Sequence, residues 1–456
     1  MLRPLARPTG AVLALLWLAF LCLAAAAVAA PARAAVERVV SPGGIEAWLL
    51  SDRSLPILAV SMSFRGGDAQ DAPGKEGTAD LMAQVMTEGA GELDAEAFRA
   101  RLEDLATSLS VSAGRDSVEV SFRTLTRYRG DSLALLREAL AAPRFDADAI
   151  DRARERQLSG LARAQTSPGE IARDVWWRVA FPNHAYGRPA AGTAASVKAI
   201  GADDLRAAWR AQVARDTLKI GVVGDIDAAT LGPLLDALLA GVPAKAALRP
   251  VPDVVAAGAG DVVVVRRRQS QSVVVFGAPG LRRQDPDYEA AHLVNYVLGG
   301  GGFSARLMRE VRERGGLAYS VSTGLGTLES TAILQGNVAT ANGAVAQSIA
   351  LVRQELGRMA AEGPTEDELA DAKVAVVDSF PLNLDSTSRI ASFLVAIQRD
   401  GLGIDYMEKR AERFRRVTPA EARRVAARLL DPTKLLFVVV GEPESLNPTR
   451  PPPDPQ

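Results

Sequence analysis

Apolar runs of strand length recur along the chain in a pattern that repeats once. Residues 216–227 read DTLKIGVVGDID and residues 431–442 read DPTKLLFVVVGE, each a turn followed by an apolar strand that ends in glycine and an acid, 215 residues apart (431 − 216). Earlier strands repeat at similar spacing: Ile57 to Phe64 followed by Arg65-Gly66-Gly67 parallels Ser272 to Phe276 followed by Gly277-Ala278-Pro279-Gly280. Self-similarity at one fixed offset predicts two homologous domains. Within them Val118 to Leu125 alternates as VEVSFRTL, a strand with one buried face, while Asp146 to Ala164 and Asp203 to Ala214 have helical spacing behind capping acids. Residues 244–260, AKAALRPVPDVVAAGAG, have the Pro, Ala and Gly content of a linker. The pattern predicts domains over 35–243 and 261–444, and a disordered Pro-rich tail over 445–456 that holds no packed element.

The stretch from Leu298 to Val321, LGGGGFSARLMREVRERGGLAYSV, is the densest in chemistry. Gly299 to Gly302 turn freely, and Ser304 is placed to cap a helix whose Leu307, Met308 and Val311 share one face. Gly315 and Gly316 stop that helix. Leu317, Tyr319 and Val321 then alternate with Ala318, Ser320 and Ser322 as a strand, so Tyr319 emerges just beyond the helix end that carries Arg312. A guanidinium and a phenol could face one ligand. The bland alternative makes Arg312 one charge of a solvated face with Arg306, Arg309, Glu310, Glu313 and Arg314, and Tyr319 a half-buried strand aromatic. The tetraglycine lacks the Lys-Ser/Thr ending of a nucleotide loop, and close packing explains it better than a phosphate.

Arg3 and Arg7 precede an apolar run from Ala11 to Ala30, and Ala32-Arg33-Ala34 has the small-residue spacing of a cleavage site. Residues 1–34 therefore read as a removable signal peptide rather than a stable membrane anchor, with the periplasm as destination. Removal takes three of the 53 basic side chains and none of the 54 acidic ones, leaving a formal −4 that gives nucleic acid no footing. It also takes Cys22, the only cysteine, so the mature chain relies on its core rather than on disulfides. His184 and His292 are the only histidines and read as structural residues. No set of three nitrogen or sulfur metal ligands can be assembled, which excludes a zinc hydrolase acting as a lone chain.

The block around Arg312 and Tyr319 resembles the C-terminal signature of the M16 family of pitrilysin, insulysin and mitochondrial processing peptidase. There an arginine and a tyrosine seven residues later contact bound peptide. The N-terminal half is similar at Phe64 to Gly91, FRGGDAQDAPGKEGTADLMAQVMTEGAG. Family peptidases carry His-x-x-Glu-His there as an inverted zinc motif. In this chain the positions read Asp80, Leu81, Met82, Ala83 and Gln84, and the stretch expected to supply the third ligand, Gln157 to Leu161, has no carboxylate. Asp80 and Gln84 read as polar fillers of the vacated site.

The resemblance implies an α+β fold. Each of two homologous domains is an α/β sandwich with a mainly antiparallel sheet, and together they form half of a clamshell around a peptide chamber. It also implies no cofactor in this chain, zinc in a partner subunit, and a zinc-bearing M16 paralogue and a peptide or unfolded protein as partners. Arg312 and Tyr319 would then complete the partner's site by holding the peptide carbonyl or developing oxyanion. The alternative function is a non-catalytic scaffold or a peptide-binding, chaperone-like protein.

Overall fold

The computed structural model describes residues 35–454, so the expected signal segment and the last two residues lie outside the described residues. The first sheet runs β1-β2-β6-β3-β5-β4, built from β1 (Glu37–Val40), β2 (Glu46–Ser51), β3 (Ile57–Arg65), β4 (Ser108–Ala113), β5 (Ser117–Leu125) and β6 (Lys219–Gly224). The second runs β7-β11-β8-β10-β9, from β7 (Val262–Arg266), β8 (Gln271–Pro279), β9 (Ala318–Thr327), β10 (Ala332–Ala341) and β11 (Leu436–Gly441). Apart from β1 the two sheets have the same topology. In each, one parallel pair, β2 with β6 and β7 with β11, adjoins antiparallel neighbours. This is the expected α+β architecture, and the repeated glycine has a local cause. Gly224 and Gly441 have φ of +131° and +152°, and a Cβ would lie 2.0 Å from the Ile57 carbonyl oxygen at one and 2.2 Å from the Ser272 hydroxyl at the other.

The central strands are apolar on both faces because both faces are covered. β3, β6, β8 and β11 are buried along nearly their whole length. One face of each sheet meets helices of its own domain around a separate core. The other face is covered by a helix from the opposite domain. Helix Pro168–Ala180 lies across β11 and β8, and helix Thr387–Arg399 lies across β6 and β3. Trp176 donates from Nε1 to the Leu436 carbonyl at 3.3 Å, and Gln398 donates from Nε2 to the Ile220 carbonyl at 2.9 Å. The backbones come close enough to require glycine. A Cβ on Gly277 would sit 2.5 Å from the Trp176 ring, and one on Gly221 2.3 Å from the Ala391 carbonyl oxygen.

Polar ties close the seam. Tyr186 donates to Asp116 at 2.6 Å, and Asp116 accepts the Glu329 N–H at 2.8 Å. Arg399 pairs with Glu119 at 2.9 Å across the same boundary. Residues 244–257 form no helix or strand, yet they are pinned over the seam by Val254 N–H to Ser330 and Ala257 N–H to Ala180.

The tail corrects an expectation. Residues 445–454 include no helix or strand run but are packed rather than disordered. Val262 donates its N–H to the Thr449 hydroxyl at 2.9 Å, and the Thr449 N–H returns to the Val262 carbonyl at 2.9 Å. Leu446 packs on the core, and Arg178 donates to the Asp454 carbonyl at 2.7 Å. The reason is the free edge of β7, whose backbone groups need partners that a proline-rich segment with intervening N–H groups supplies.

Substituting Gly221→Ala should push helix Thr387–Arg399 off the first sheet and lower stability by about 1–3 kcal/mol. Gly130→Ala, where nothing lies within 4 Å, should be neutral or stabilising by up to about 1 kcal/mol. Thermal melts of both variants check this.

Candidate functional site

Two π-helical segments, Tyr296–Gly300, which takes in the first two glycines, and Met308–Arg314, carry the glycine stretch and the residues after it. Gly299 packs against β9, where a Cβ would lie 2.4 Å from the Thr323 hydroxyl, so close approach is one reason for the glycines. Ser304 does not cap the following helix. It sits in a 3-10 turn, Gly302–Ser304, and donates to the Gly301 carbonyl at 2.9 Å. The wide turn persists to the helix end, where Gly315 N–H reaches back to Glu310 at 3.0 Å and Gly316 has φ +61°. π-bulged turns of this kind occur often at functional sites.

This ending places Arg312 between two rings. Its guanidinium carbon is 4.9 Å from the Phe303 ring centre and 4.9 Å from that of Tyr319. Both rings are open to solvent, Phe303 at 68% and Tyr319 at 79% exposure. Among the described residues no carboxylate lies within salt-bridge distance of Arg312. Its donors are held in place by stacking and left free for a ligand.

Tyr319 reaches this position by breaking the expected alternation. Strict period two would put it on the buried face with Val321, but the β9–β10 register shifts between Ala339 and Thr340, which pair with Ser320 and Ala318. Tyr319 is the extra residue of that bulge and turns outward, as bulged side chains do. Phe303 was not anticipated. Its signal is slight: a large ring after four glycines, with no strand or helix face of its own to bury it.

The neighbouring charges are not one solvated face. Arg306 is 3% exposed, donating from Nε to Glu368 at 2.9 Å and from Nη2 to the Gly363 carbonyl at 3.1 Å. Arg309 shares Glu368 at 3.4 Å and also lies 3.7 Å from Glu310, the carboxylate that pairs with the more exposed Arg314 at 2.7 Å. Burial pulls the Glu368 carboxyl up, but the Arg306 hydrogen bond, the Thr365 N–H and the nearby guanidinium charges outweigh it and hold it down at about 2. The partly buried ion pair of Arg306 with Glu368 anchors the element that presents Arg312.

The degenerate zinc positions lie on helix Thr78–Val85. Ala83 is buried, and Gln84 donates to Asp80 at 3.3 Å. Burial raises the Asp80 carboxyl, opposed by that bond. Gln157 faces the start of the same helix, donating to Gly77 at 3.2 Å and Ala191 at 2.9 Å. Among the described residues no group of three or more His, Cys, Asp or Glu could hold a metal ion. The side chains present, a carboxylate, a methyl and two amides, do not fit zinc. His184 bridges backbone: Nδ1 accepts the Tyr186 N–H at 3.1 Å, so Nε2 carries the proton toward the Pro252 carbonyl at 3.0 Å. His292 is half-buried, packed on Phe414 with ring centres 5.4 Å apart.

The chain belongs to the M16 family, with Asp80, Ala83 and Gln84 standing at the positions of its inverted zinc motif. Residues 48–194 match the family described as Insulinase (Peptidase family M16), and residues 199–376 match Peptidase M16 inactive domain. A non-peptidase homolog, YmxG, of Helicobacter pylori is 29% identical over 73% of this chain and 77% of its own length. An uncharacterized zinc protease of Streptomyces coelicolor is 24% identical over 89% of both chains. The crystal structure of a peptidase M16 inactive domain from Pseudomonas fluorescens superposes with TM-score 0.85 at 26% identity, covering 91% of this chain and 99% of that one.

The folded-state pKa of Glu368 lies below the ordinary 4.5, so its pairing stabilises the fold above that pH and the contribution is lost as pH falls from 4.5 toward 2. Acid unfolding of wild type should therefore steepen in that window, and Glu368→Gln should flatten it. Breaking the pair with Arg306→Ala should destabilise by about 1–3 kcal/mol, since Glu368 keeps Arg309 and the Thr365 N–H, against within about 0.5 kcal/mol for Arg314→Ala. Denaturant titration at pH 7 gives both values.

Proposed function

We propose that this chain is the non-zinc subunit of a two-chain M16-type metallopeptidase, binding an extended peptide and completing the site of a zinc-bearing paralogue. The observation that carries the reading is the exposed Phe303–Arg312–Tyr319 stack, a cation near a helix end with no carboxylate in salt-bridge distance among the described residues. A partly buried ion pair and two π-helical turns support that arrangement. The Arg312 N–H groups and the Tyr319 hydroxyl are donors suited to a peptide carbonyl or to the oxyanion that develops from it. The metal and the water it activates belong to the partner. This chain binds and orients peptide, and it reaches the periplasm through cleavage of residues 1–34. The non-peptidase relative supports the absence of activity in the isolated chain. The exposed stack favours this reading over a pure scaffold, which has no use for an unpaired cation between solvent-facing rings.

The mature chain purified alone should hydrolyse no peptide, and pull-down from periplasm should recover a paralogue with an intact His-x-x-Glu-His. Recovery of homodimers alone, in cells that make such a paralogue, would support the scaffold instead. In the complex, Arg312→Ala and Tyr319→Phe should each lower kcat by about a hundredfold. Tyr319→Phe keeps the ring that stacks on Arg312, so its effect isolates the hydroxyl. Arg314→Ala is the control, since Arg309 is tied to Glu368. Parental rates for both site variants would refute the assignment.

A further inference from the structure

A cavity of about 620 Å³ opens between helix Tyr288–Asn295, the turn Phe380–Leu384, helix Thr387–Arg399 and helix Tyr406–Arg416. It lies away from the glycine stretch, and none of Phe303, Arg312 and Tyr319 lines it. The lining is largely apolar and aromatic, and it contains three arginines, of which Arg389 is paired with Asp385 at 3.1 Å. Arg283, stacked 4.2 Å from the Tyr288 ring centre, has Glu289 at 3.7 Å. Arg410 lies 4.1 Å from the Phe380 ring centre and 4.5 Å from that of Phe414, with no carboxylate within salt-bridge distance among the described residues. It donates to the Val376 carbonyl at 3.2 Å, and the Tyr406 hydroxyl and the more distant Glu289 charge also favour its protonated form. Burial pushes this guanidinium below its ordinary value. The one acid lining the cavity, Asp400, is drawn to Arg399 at 3.8 Å. His292 also faces the cavity, and its ring nitrogens make no hydrogen bond among the described residues.

Among the described residues, a half-buried cation with no carboxylate in salt-bridge distance lies beside an imidazole without a hydrogen bond and opposite an apolar wall, an incomplete arrangement. What completes it is an anion small enough for the cavity, carried on a body that displaces water from Phe393, Leu384 and Ile397. The planar guanidinium fork matches a carboxylate. We propose that this cavity binds a small organic carboxylate with an apolar or aromatic body, its carboxylate on Arg410. The same chemistry is offered by the C-terminal residue of a peptide and by a free aliphatic acid.

Titration calorimetry of the mature full-length chain with N-acetylphenylalanine, N-acetylphenylalanine amide and octanoate tests this. The acid should bind at least tenfold more tightly than its amide, about 1.4 kcal/mol, a comparison that needs no variant. Arg410→Gln should lose that preference and Arg410→Lys should keep part of it, with circular dichroism checking that both fold. Stronger binding of N-acetylphenylalanine than of octanoate identifies a peptide end as the source, and the reverse order identifies a free acid. Equal affinity for acid and amide, no binding of either acid, or an unchanged preference in a folded Arg410→Gln variant would overturn the proposal.

Discussion

The exchange of one helix between the two domains is the constraint on which the rest of the molecule depends. A sheet with helices on one face only would expose the other face of β3, β6, β8 and β11 to water. Here helices Pro168–Ala180 and Thr387–Arg399 cover those faces reciprocally, burying Trp176, Ala391, Leu394 and Ile397 against the opposite sheet. Burial of apolar surface on this scale exceeds anything the surface ion pairs contribute, because each large side chain fully buried is worth about 1.5–3 kcal/mol and an exposed pair about 0–1. Neither sheet is complete without the other domain, so the two halves form one body.

That rigidity lets an edge strand carry a site. β9 is the last strand of its sheet, held by pairing with β10 on one side only. Its position is secured by the π-helical segments packed behind it and by Arg306 locked to Glu368. On this support the bulge at Tyr319 and the turn after the glycines bring two rings to the same guanidinium. Backbone irregularity is concentrated where side chains must be aimed, and the regular elements around it supply the stability it lacks.

The vacated zinc helix shows the opposite arrangement. Asp80 and Gln84 satisfy each other, Ala83 is packed, and Gln157 ties the helix start to a neighbouring loop. The polar groups that remain there are mostly occupied in holding structure. The stacked Arg312 lies in the other domain, and Arg410 lies in a separate cavity of that domain.

Several features were legible in the sequence because they depend on local pattern or on residue identity. The doubled strand-and-glycine pattern marked two similar domains, and the glycines at 224 and 441 are demanded by backbone conformation that few other residues adopt. The loss of metal ligands needed only the residue types at 80, 83 and 84. The spacing from Arg312 to Tyr319 across a glycine stop placed the two side chains near each other. What the tertiary structure alone decided is how those side chains point and what pairs with each charge. Period-two alternation turns Tyr319 inward, and only its pairing with β10 inserts the bulge that turns it out. Helical spacing puts Arg306 and Arg309 beside Arg312, but Glu368, some sixty residues away, separates the buried anchor from the free cation. Phe303 joined the site, and the tail joined β7, through contacts between distant segments. Side-chain periodicity reports which residues share a face, whereas register, counter-ions and edge pairing depend on partners remote in sequence.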